Sequence, residues 1–199
     1  MIWLILSAIA TGSMFGYFCL EVAHKEILDT ILLNALNIIA LIAGIEIGGN
    51  KNIIKKMINP KTLSLMLAVP AANFAGSMLG GVAVGMLLGV GFKDCLLISG
   101  GMGWYSFSSV VISAMYSTEI GTMSFIANVM REMLSFLLVP IAAKFTDLPC
   151  VSIGGASTMD STLPVILKCT NTQIAVLGFI NGLVITLIVP FLITALLGM

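Results

Sequence analysis

Residues 173–197 read QIAVLGFINGLVITLIVPFLITALL, without a charged side chain from end to end. A membrane span needs about 20 mostly apolar residues to cross a hydrocarbon core about 30 Å thick. It must also satisfy its backbone groups internally, which a helix does. This stretch meets both demands and is read as a transmembrane helix. A β-barrel would instead show alternating strands of about ten residues, and the sequence has none.

The same pattern recurs outward from that run. Apolar segments cover 1–20, 27–47, 62–90 and 120–143, and two further ones, 95–116 and 151–167, are interrupted by glycines and hydroxyl residues. Together these make a single transmembrane domain over 1–199 with seven membrane segments; if the two interrupted ones re-enter, five crossings remain. The fold class expected is all-α, a polytopic integral membrane helix bundle with two broken or re-entrant helices. Within 62–90, small residues at Ala68, Ala72, Gly76 and Gly80, then Gly81, Gly85 and Gly89, let helices approach closely in lipid. That span is therefore expected at the centre of the bundle.

Composition agrees. Apolar residues make up 59% of the chain and charged residues 9%, against about 25% charged in soluble domains, and the mean hydropathy is +1.12. Nine acids balance nine bases, which leaves no electrostatic footprint for nucleic acid. Cys19, Cys95, Cys150 and Cys169 show no metal spacing and read as small buried hydrophobes, and His24 is the only histidine. No metal and no cofactor are expected. HExxH, GxSxG and Walker patterns are absent, which argues against an enzyme and against direct use of ATP. The loop 51–61 holds Lys51, Lys55, Lys56 and Lys61 with no acid, marking the cytoplasmic side. The expected placement is a multi-pass protein of the cytoplasmic (inner) membrane, N-terminus inside and C-terminus outside.

Two stretches carry the chemistry. Gly100–Ser106, containing Trp104, Tyr105 and Ser106, and Gly154–Pro164, containing Ser157, Thr158, Asp160 and Ser161, put glycines and hydroxyls at membrane depth. Backbone freed from a helix survives there only when buried in protein or lining a polar cavity, and paired broken helices hold substrates in secondary transporters. Ionisable residues in a membrane are functional candidates by default. Arg131 and Glu132 lie near the middle of 120–143 and Asp160 lies in the second break. Ser124, Asn128, Glu132 and Ser135 recur at helical spacing as one polar stripe. Arg131, about 100° further round, either pairs with Asp160 or touches a different face. Glu46 and Lys168 fall near segment ends, and Asn73 and Asn181 either line the cavity or join helices.

At these residues the sequence resembles the LysO-type lysine exporter family of membrane proteins. The matching stretches are Gly101–Ser106, Asn128–Glu132 and Gly155–Pro164, with weaker similarity at Gly44–Ile47 and Val139–Pro140. The resemblance runs over essentially the whole chain. It implies export of lysine and related basic amino acids, and intramembrane acids needed for export, with Glu132 at one such position. Full-length members look longer at the N-terminus, by about three spans and another intramembrane acid. A small companion subunit or a homodimer is the partner this implies, alongside membrane lipid.

Lysine carries an ammonium at each end and one carboxylate. Glu132 and Asp160 suit the ammonium groups, and half-helix N-termini or Arg131 suit the carboxylate. Moving a net positive charge out against an inside-negative potential costs about 2.3 kcal/mol per 100 mV, so export needs a driving gradient. Inward proton movement, with Glu132 alternating between protonated and lysine-bound forms, meets that need. A sodium or proton cation antiporter, or a non-transporting subunit of a two-chain transporter, are the alternatives.

Overall fold

The computed structural model describes residues 2–19 and 59–199, together with positions 30, 31, 34, 38, 41 and 45. The second apolar segment (27–47), most of the lysine loop, His24 and Glu46 lie largely or wholly outside the described residues. No strand occurs among the described residues, and the protein is a membrane helix bundle. The helices whose bounds are described are α1 (Ile2–Cys19), α2 (Pro60–Leu87), α3 (Phe92–Gly100), α4 (Tyr105–Met115), α5 (Thr118–Ala142), α6 (Cys150–Ile153), α7 (Leu163–Cys169) and α8 (Thr172–Leu197), with a 3₁₀ turn at Gly155–Met159. Three of them, α2, α5 and α8, are each long and apolar enough to cross a membrane.

Local chemistry sets the helix ends. Ser117 and Asn171 are extended residues whose side chains accept from the N–H of Ile120 and Ile174, so α5 and α8 begin on ordinary N-caps. Between α2 and α3 the chain turns through Gly89 at φ +79, a conformation that favours glycine. Gly81 and Gly85 of α2 then lie directly against Ser99 and Cys95 of α3, as close packing of small residues in lipid predicts. The other small residues, Gly76 and Gly80, meet nothing within 4 Å among the described residues.

The most enclosed of the three long helices is α8, not α2. The expectation of a central 62–90 span is therefore corrected among the described residues. Glycine spacing marks where one neighbour comes close, but enclosure depends on how many elements surround a helix. Around α8 lie α2, α3, α4, α6, α7 and the 3₁₀ turn. Its Ile185, Val189, Ile193 and Leu196 form one buried cluster with Leu97, Met102, Ile112 and Ala156.

Candidate functional site

Among the described residues two breaks interrupt the helical structure, and they meet. The first is narrower than Gly100–Ser106: Gly100 still closes α3, and Tyr105 already opens α4. Between them Met102 (φ +45) and Gly103 (φ +95) turn the backbone. The left-handed conformation of Met102 is uncommon for a side chain, and it delivers a fully buried Met102 into the α8 cluster. In the second break the 3₁₀ turn runs from Gly155 (φ +70) to Met159, and α7 starts at Leu163. Across the junction Ala156 donates its N–H to the Met102 carbonyl at 2.9 Å.

A polar cavity of about 130 Å³ opens where they meet. Trp104, Tyr105 and Ser106 contribute one wall, Ser157, Asp160 and Ser161 another, and Glu132 a third. Ser161 Oγ lies within hydrogen-bond reach of both Glu132 Oε1 and Asp160 Oδ1, so one hydroxyl sits between the two carboxylates. Glu132 is half-buried while Asp160 is exposed at the mouth. The start of α4 lines the same cavity through Tyr105 and Ser106, whose N–H groups find no protein acceptor among the described residues. Such first-turn donors, at the positive end of a helix dipole, are suited to an anion. Aromatic packing fixes this wall: Trp104 stacks on Phe107 at 4.9 Å and Tyr105 meets Phe125 edge-on at 5.5 Å. The cavity thus brings two carboxylates together with the donor end of a helix.

Residues 6–197 match the family model described as lysine exporter LysO. The chain belongs to this family. A protein of Haemophilus influenzae named "Putative lysine exporter" is 29% identical over 193 residues, 94% of each chain. "Lysine exporter LysO" of Escherichia coli is 24% identical over 158 residues, 79% of this chain and 52% of that protein. The match thus spans about half the length of the Escherichia coli relative and nearly all of the Haemophilus one. No solved structure matches. Membership in the LysO family makes the protein a transporter rather than an enzyme.

Three of the residues expected at the site lie elsewhere than on the cavity wall. Asn128 sits beneath the first break, accepting from Gly103 N at 2.7 Å and donating to the carbonyls of Ser124 at 2.8 Å and Ile98 at 3.1 Å. Thr158 is fully buried, bonded to the Gly155 carbonyl and to Asn181. Arg131 does not pair with Asp160. Its guanidinium donates to the carbonyls of Ile153 and Ser152, to Ser77 Oγ and to Asn73 Oδ1, so it touches the different face. Asn73 and Asn181 join helices, bonded to one another at 3.4 Å.

Sequence reasoning missed Thr186 on the cavity wall. It also missed a hydroxyl relay in which Thr162 Oγ1 lies 2.8 Å from Ser157 and 3.0 Å from Ser135, tying the second break to α5. Thr186 had a signal, as a polar residue inside the apolar run of α8. The relay had none, because nothing in the spacing puts Ser135 beside Thr162.

Proposed function

We propose that the protein is a secondary active exporter of L-lysine across the cytoplasmic membrane, driven by inward proton movement, and that related basic amino acids share the route. The observation that carries this reading is the pairing of Glu132 and Asp160 around one hydroxyl, in a cavity that the first residues of α4 also line. Each end of a diamino acid meets a complementary group there. The ammonium groups bind Glu132 and Asp160, and the α-carboxylate binds the first turn of α4. Trp104 and Tyr105 add aromatic faces suited to an ammonium, and Ser106 and Ser157 complete the polar lining. The printed names of the relatives support lysine as the substrate.

Glu132 is the coupling residue in this scheme. Lysine binds the carboxylate form and leaves outward; a proton from outside then takes its place and is released inside. A cation binding one carboxylate cannot share it with a proton, so the two cargoes exchange rather than travel together. A small companion subunit or a second copy is the proposed partner, consistent with the greater length of the Escherichia coli relative.

Efflux of labelled lysine from proteoliposomes tests this, with and without an imposed proton gradient at fixed potential. Glu132→Gln keeps the shape and removes the charge, and it is expected to lower efflux by about 100-fold or more. Efflux that survives this change refutes the site. Efflux indifferent to the proton gradient refutes the coupling. Sodium-driven movement without lysine identifies a cation antiporter instead.

A further inference from the structure

Breaking a helix in hydrocarbon frees carbonyl groups that lipid does not satisfy. Four such carbonyls in and beside the second break are taken by side chains of other helices. Arg131 Nε donates to Ile153 O at 3.0 Å and its Nη2 to Ser152 O at 3.3 Å. Asn181 Nδ2 lies within reach of Val151 O at 3.0 Å and Gly155 O at 3.3 Å. Asn73 connects the two, accepting from Arg131 Nη2 at 2.7 Å and donating to Asn181 Oδ1. Ser77 accepts from Nη1 at 2.8 Å. Arg131, Asn73 and Ser77 border a cleft of about 610 Å³ that shares no lining residue with the acidic cavity.

We infer that Arg131, acting with Asn73 and Asn181, is a positioning residue for transport and not a ligand of the transported molecule. The inference rests on the lysine-export reading for its transport measurements. Neighbours on α5 divide the work: Glu132 faces the cargo, and Arg131 holds from a separate cleft the backbone that presents Asp160 and Ser161. Asp160 directly follows the 3₁₀ turn, and its neighbour Ser161 bonds Glu132, so a shift of the turn moves Asp160 and Ser161 relative to Glu132. Only a guanidinium suits Arg131's task. Its planar fork reaches four acceptors on two elements, α2 and α6, which an ammonium on a flexible stem does not reproduce.

The test uses Arg131→Lys in proteoliposomes, measuring labelled lysine efflux and its inhibition by 1,5-diaminopentane, which keeps both ammonium groups and lacks the carboxylate. Positioning predicts that KM for lysine and Ki for the diamine rise together, by about tenfold, because misplacing the acids weakens both ligands alike. Asn73→Ala, which keeps the charge, is expected to move both constants in the same direction by a smaller factor. A rise for lysine alone means that Arg131 holds the carboxylate and overturns the inference. So does a fall in maximal rate with both constants unchanged, which marks a purely structural role.

A readout without transport separates this inference from the export reading. The rate at which a water-soluble thiol reagent labels Ser161→Cys, with the native cysteines replaced by serine, reports where the turn sits. A changed rate in Arg131→Lys or Asn73→Ala supports the brace even if no lysine moves, and an unchanged rate in both refutes it.

Discussion

The helix that stops at Gly100 resumes at Tyr105, whereas the one that stops at Ile153 resumes only at Leu163. The first break is made by backbone conformation, with Met102 and Gly103 at positive φ and Asn128 bonded beneath them. The second has a single positive-φ residue, Gly155, and is held by side chains from three helices: Arg131 and Ser135 from α5, Asn181 from α8, and Asn73 of α2 behind them. A short break can be written into two adjacent residues. A long one exposes more backbone than local turns satisfy, and must borrow donors from the rest of the bundle. The difference suits their places at the site: the compact break presents fixed backbone donors, and the extended one presents the exposed carboxylate.

The largest effect expected from this contrast is at Gly103. An added Cβ there would stand 2.6 Å from the Gly154 carbonyl oxygen at a φ of +95. Neither backbone can turn aside as a side chain would, so Gly103→Ala should destabilise the protein by about 3 kcal/mol or prevent its accumulation. Thermal unfolding in detergent measures this, and near-normal stability would mean that the first break is not set by its backbone.

Next comes Asn128→Ala, which strips the Gly103 N–H of its acceptor and should cost about 2 kcal/mol. Asn181→Ala is expected to cost less, because the carbonyls of the second break are divided between Asn181 and Arg131. Equal losses in the same unfolding assay would erase the distinction between one prop and several.

Ser161→Ala should do least. It removes one hydroxyl between Glu132 and Asp160, worth about 1 kcal/mol, and should change lysine KM a few-fold while leaving the melting temperature almost unmoved. A larger drop in stability would make Ser161 part of the frame rather than of the cavity.

Most of the cavity was legible in the residues before the fold was known. The glycines before Trp104 and at 154–155 mark the breaks, and a carboxylate in the middle of 120–143 is a functional candidate by default in a membrane. Arg131 was legible as a candidate, but the groups it meets were not. Adjacent positions on a helix point about 100° apart, and what each one meets depends on the helices placed around it.

An apolar composition and uncharged runs such as 173–197 leave lipid as the only suitable solvent and helices as the structure that satisfies the backbone there. Helix-breaking residues say where that structure must fail. Tertiary packing settled the remainder: that the breaks join through Ala156 and Met102, that α8 is the most enclosed long helix among the described residues, and that Arg131 and Glu132 line separate cavities. Those outcomes depend on contacts between residues far apart in the chain, and helical periodicity orders only neighbours within a few turns.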